Sequence, residues 1–107
     1  STRQIINKER IALMKPTAYI VNTSRGALIK EDDLIEALQQ GRLAGAALDV
    51  QDPEPPALDN PLFAMDNVIM TPHIGWRRYE SRQRLVDLVA ENIKAFIDGK
   101  AVNVVNK

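Results

Sequence analysis

Three short β-forming runs, set between stretches with helical spacing and each ending in a polar residue, constrain this chain more than any other feature. Asn7 can cap a first helix whose apolar positions are Ile11, Leu13 and Met14, and Pro16 stops it. Ala18–Asn22 then reads as a short buried strand. Thr23-Ser24-Arg25-Gly26 is a turn in which Gly26 is free to take a positive φ. A second helix follows, with Glu31, Asp32 and Asp33 in its first turn, where carboxylates suit the positive end of the helix dipole. Leu34, Ile35, Ala37 and Leu38 form its buried face, and Gly41 ends it. Leu43–Val50 is a second strand, rich in small residues that let a helix pack closely. The proline-rich loop Gln51–Asp66 leads to a third short buried strand, Val68–Thr71. The last helix runs from about Arg78 to Asp98, with Leu85, Leu88, Val89, Ile93, Phe96 and Ile97 at helical spacing and Gly99 closing it. Strands alternating with helices predict an α/β fold with a parallel sheet. Three strands are half of a doubly wound sheet, and Ser1-Thr2-Arg3 opens directly before a helix, so a first half is expected elsewhere.

Size and charge narrow the functional classes. A chain of 107 residues can build one small core. Its 14 basic and 14 acidic residues balance, which argues against a nucleic-acid or membrane-surface binder. No apolar run approaches the ~18 residues of a membrane span. Cysteine is absent, which removes disulfides and thiolate metal sites and fits a cytoplasmic setting. A single histidine leaves no histidine-rich metal site, so no metal is expected.

That histidine, His73, lies in Thr71-Pro72-His73-Ile74-Gly75, just past the third strand. Parallel strands present their carboxyl ends along one edge of a sheet, where open α/β folds place their chemistry. Asn22 and then Arg25 follow the first strand, Asp49 lies on the second and His73 after the third, so Arg25, Asp49 and His73 should converge on one crevice. Glu54, in the loop joining the last two strands, lies within reach of His73. A guanidinium grips a carboxylate through a two-pronged fork. A carboxylate beside imidazole favours the imidazolium and orients the ring. A cationic histidine can give its proton to a carbonyl oxygen as a hydride reaches carbon. Together these residue types describe reduction of a 2-keto acid to a 2-hydroxy acid.

Four segments now carry a resemblance: Val21-Asn22-Thr23-Ser24-Arg25-Gly26, Ala47-Leu48-Asp49-Val50, Glu54-Pro55 and Thr71-Pro72-His73-Ile74-Gly75. In order and spacing the chain resembles the D-isomer-specific 2-hydroxyacid dehydrogenases over essentially its whole length. The resemblance implies a fold: the second half of a doubly wound, Rossmann-type parallel sheet with helices on its faces. Residues 1–107 would be the C-terminal part of the dinucleotide-binding domain, and 78–107 the helix and tail that return toward a substrate domain. It also implies roles. Arg25 would bind the substrate carboxylate and carbonyl, His73 would be the acid/base, and Glu54 would pair with it. Asp49 would hold the nicotinamide carboxamide, Asn22, Thr23 and Ser24 would lie along the cofactor, and Gly75 would join the cofactor site. The implied cofactor is NAD or NADP, and the implied partner is a small 2-keto or 2-hydroxy acid. The implied parent is a homodimer, with no nucleic acid or membrane partner.

Two departures qualify this. Gln51 stands where the family usually has an aromatic after Leu-Asp-Val. No Gly-x-Gly-x-x-Gly turn occurs among Gly26, Gly41, Gly45, Gly75 and Gly99, so the pyrophosphate cradle is not in this chain. The isolated chain is accordingly expected to be inactive. His73-Ile74-Gly75-Trp76, followed by Glu80–Leu85, looks most like the glycerate/hydroxypyruvate subgroup. Trp76 is expected to pack rather than touch substrate, and Arg77 and Arg78 to be surface charges. The alternative from another class is a dehydrogenase-like nucleotide-sensing or regulatory module without turnover, since such relatives keep these motifs.

Overall fold

The computed structural model describes residues 2–106, in two compact units that divide between Ile74 and Gly75. The first unit contains helix α1 (Lys8–Ile11), strand β1 (Tyr19–Asn22), helix α2 (Glu31–Gln39), strand β2 (Gly45–Leu48) and strand β3 (Val68–Met70). Single 3-10 turns at Gly26–Leu28 and Pro61–Ala64 supplement them. The strands form one parallel sheet in the order β1-β2-β3. Ile20 pairs with Ala46 and Ala46 with Val68, while Asn22 pairs with Leu48 and Leu48 with Met70.

That register sorts the sheet into two faces, because successive strand residues point to opposite sides. Ile20, Ala46 and Leu48 face a core completed by Ile11, Ile29, Leu34, Ala37, Leu38, Leu43 and Leu62. Tyr19, Val21 and Ile69 lie on the other face and are each about two-thirds exposed. The first and third strands are thus half-buried, not the fully buried runs their apolar composition suggests. Leu13 also departs from expectation: α1 ends at Ile11, and Leu13 is exposed.

Local chemistry explains the helices. The Asn7 side chain accepts the Arg10 N–H and starts α1. Asp33 is buried, and its carboxylate accepts the first amide of α1, at Lys8, and the Lys30 ammonium. This one side chain ties α1 to α2. Gly41 takes a positive φ of 65° beyond α2, as its position at the helix end requires.

Gly26 does not take a positive φ; its requirement is space. A Cβ added there would stand 2.0 Å from the carbonyl carbon of Gln51, so the turn after β1 lies directly on the loop after β2.

The second unit is built on α3, Tyr79–Ile97. None of its residues is buried, and Leu85, Val89, Ile93, Phe96 and Ile97 are roughly half to three-quarters exposed. Trp76 is more than half exposed and lies under the Arg82 guanidinium, 5.8 Å from the ring centroid, instead of packing in a core. Arg77 and Arg78 are exposed, as expected. Among the described residues no helix is long and apolar enough to cross a membrane, and no group of three His, Cys, Asp or Glu side chains is placed to hold a metal ion.

Candidate active site

The carboxyl ends of the three strands deliver three loops to one edge of the sheet. After β1, the buried Asn22 side chain organises the turn: its Oδ1 accepts the Ser24 N–H at 3.1 Å and its Nδ2 donates to the Arg25 carbonyl at 2.9 Å. Asn22 therefore works beneath the loop, while Thr23, Ser24 and Arg25 are exposed above it. Arg25 donates through Nη1 to the Ser24 carbonyl.

After β2, Asp49 is buried, and its amide donates to the Asn22 carbonyl, linking the first two loops. Two residues on, the Gln51 amide donates to Oε1 of Glu54 at 2.8 Å. The other oxygen of Glu54 lies 2.9 Å from Nδ1 of His73. An ionised carboxylate can only accept, so Nδ1 carries the hydrogen and Nε2 is left to face a reacting group. The His73 contact, helped by the Gln51 amide and by the charges of His73 and Arg25, holds the Glu54 carboxyl below its ordinary range.

The third loop holds His73 in an unusual backbone. Its φ is +54°, in the left-handed region, which costs a residue with a Cβ roughly 1–2 kcal/mol. The Thr71 hydroxyl and the Ile74 N–H both donate to Oδ1 of Asp49. The resemblance expects Asp49 to hold a carboxamide, which the bonds to its Oδ1 leave open, while residue types alone assign Thr71 and Gln51 no role at the site. In the structure Asp49 braces the histidine loop, and the Gln51 amide fixes Glu54. Gly75 begins the second unit.

Two hollows border these loops. One, of about 290 Å³, is walled by Glu54, Pro55, Pro72 and His73, so the imidazole–carboxylate pair lies at its margin. The other, of about 420 Å³, runs beside β1 along Val21, Asn22, Thr23 and Ser24. Its strand side is apolar and its loop side polar, which suits a flat heteroaromatic ring carrying a carboxamide. No glycine-rich cradle for a pyrophosphate accompanies it, so these residues fit the nicotinamide end of a dinucleotide and not its phosphates.

A parallel α/β sheet with a hydrogen-bonded carboxylate–imidazole pair beyond its strand ends is the arrangement of an α/β protein whose chemistry lies at the carboxyl edge of its sheet. The chain belongs to the family described as D-isomer specific 2-hydroxyacid dehydrogenase, NAD binding domain, whose profile matches residues 1–75. It is 52% identical over 106 residues to a hydroxypyruvate reductase from Blautia hydrogenotrophica, covering 99% of this chain and 33% of the relative. It is 53% identical over 106 residues to a D-3-phosphoglycerate dehydrogenase from Methanocaldococcus jannaschii, covering 98% of this chain and 20% of that protein. Among solved structures, an NADPH-dependent glyoxylate/hydroxypyruvate reductase from Sinorhizobium meliloti superposes with a TM-score of 0.78 at 34% identity, over 95% of this chain and 33% of that one. The chain thus spans a third or less of the length of these relatives.

Proposed function

We propose that residues 1–107 are the C-terminal part of the cofactor domain of a larger NAD(P)-dependent D-2-hydroxyacid dehydrogenase that reduces a small 2-keto acid, hydroxypyruvate or glyoxylate first among them. The observation that carries the proposal is the His73–Glu54 pair at the margin of a hollow on the strand-end edge. The cofactor, when bound, supplies a hydride to the carbonyl carbon. His73 gives the proton on Nε2 to the carbonyl oxygen, and Glu54 holds the ring and stabilises its cationic form. Arg25 grips the substrate carboxylate, which orients the carbonyl. In the oxidising direction neutral His73 takes the hydroxyl proton. Asn22, Thr23 and Ser24 flank the nicotinamide, with Asp49 and Gly75 nearby.

The same proposal assigns residues 78–107 to the segment that meets a substrate domain, supported by the uncovered apolar side chains of α3. It also takes the parent to be a cytoplasmic homodimer. The test is reduction of hydroxypyruvate and glyoxylate by the larger protein with NADH and NADPH. His73→Gln is expected to lower kcat/KM by roughly 10²-fold or more, with cofactor affinity within about twofold. A parent protein that turns over no 2-keto acid, or a Gln variant as active as the parent, refutes it.

A further inference from the structure

The geometry points to Thr71 as a positioning residue for His73: with Asp49 it closes a clamp that imposes the left-handed backbone of the histidine and so aims its ring. The inference rests on the reading of His73 as the proton donor. The Thr71 amide is pinned to the Leu48 carbonyl at 2.9 Å, which fixes the loop to the end of β2. From there the chain must bring the Ile74 amide back to the same Asp49 oxygen that takes the Thr71 hydroxyl. Only Pro72 and His73 lie between.

Pro72 cannot supply the reversal freely, because its ring fixes φ and pushes Thr71 toward an extended conformation. The His73 amide donates to the Thr71 carbonyl at 3.0 Å, so that carbonyl already has a donor when Ile74 arrives. A carboxylate oxygen from the neighbouring loop accepts the turn's closing amide. The remaining rotation falls on His73, which takes the φ of +54°. Histidine tolerates this region better than most side chains with a Cβ. The ring is then presented to Oε2 of Glu54, at 2.9 Å. Loss of the Thr71 hydroxyl frees one end of the clamp and lets the backbone relax out of the left-handed region, turning the ring away from Glu54.

The experiment uses the larger protein and variants at positions 71 and 73. Nitrogen-15 NMR follows the imidazole, with the His73 signals assigned by their absence from His73→Gln. In the parent, the Nδ1 proton is expected as a slowly exchanging, carboxylate-bonded resonance. Thr71→Val should abolish or broaden it and lower kcat roughly 10- to 100-fold, with KM for the keto acid within about twofold. Thr71→Ser, which keeps the hydroxyl, should restore the resonance and most of kcat. If the Val protein does not fold, Thr71→Ala provides the same comparison. A Val or Ala protein that keeps the resonance and kcat overturns the inference, and so does a Ser protein as impaired as Val. If the parent reduces no keto acid, the function proposed above fails while the resonance still decides the clamp.

Discussion

Glu54 divides its two oxygens between a main-chain amide and an imidazole nitrogen, and this division sets what its replacement should do. Glu54→Gln keeps the size but removes the negative charge beside His73. The ring then loses the carboxylate that accepts from Nδ1 and holds its orientation, so keto-acid kcat/KM should fall roughly tenfold or more while cofactor affinity holds. Steady-state kinetics of the larger protein check this; a kcat/KM equal to the parent's would show that the pair is not functional. Arg25→Lys keeps the charge but loses the planar fork. Keto-acid kcat/KM should fall roughly 30-fold or more while cofactor affinity holds. Equal losses in both would instead mean that Arg25 holds the loop. Residue types were enough to nominate Arg25, Glu54 and His73. The Thr71–Asp49 link was out of reach because its partners are 22 residues apart and nothing in either side chain announces the other.

Turns and strands differ in what they tolerate, and two glycines separate the reasons. A methyl at position 26 collides with the Gln51 carbonyl, whereas a methyl at position 41 meets nothing within 4 Å and suffers only its φ of +65°. Gly26→Ala should therefore cost about 1–3 kcal/mol or more through overpacking. Gly41→Ala should cost about 1–2 kcal/mol. Urea midpoints measure both, and a reversed ranking would contradict the close contact. Helices α2 and α3 were readable from their 3.6-residue period and terminal glycines. The strands could be located but not oriented. Ala18–Asn22 is apolar for four residues in succession, so no alternation reveals that Ile20 faces the core and Val21 does not. A sequence shows that Gly26 sits in a turn but not which distant backbone will lie against it, so its need for space is visible only in the structure.

For the whole chain, three carboxylates set the acid boundary. Asp33 is held below its ordinary range chiefly by Lys30, Glu36 by Lys8, and Glu54 by His73. Carboxylates with lowered native values contribute stability that is present above their unfolded values and lost as pH falls through the native ones. Lys30 is shifted upward by Asp33, so its contribution is present at neutral pH and lost only at strongly alkaline pH. Thermal stability should be flat near neutrality and fall below about pH 4. Asp33→Asn should remove part of that fall, and an unchanged acid limb would exclude Asp33 as a source. The 107-residue chain by itself exposes the apolar side chains of α3 and one face of a short sheet. Sedimentation should show concentration-dependent self-association, and NADH titration should show weak binding or none; a monomer that binds NADH at micromolar level would contradict both expectations. The contact between Gly26 and Gln51 has a consequence for redesign. The turn that carries Arg25 rests on the carbonyl group of Gln51, the residue whose own amide donates to Glu54. On the roles proposed for Arg25 and His73, remodelling that turn to admit a bulkier acid displaces Gln51, so substrate range and proton delivery are retuned together.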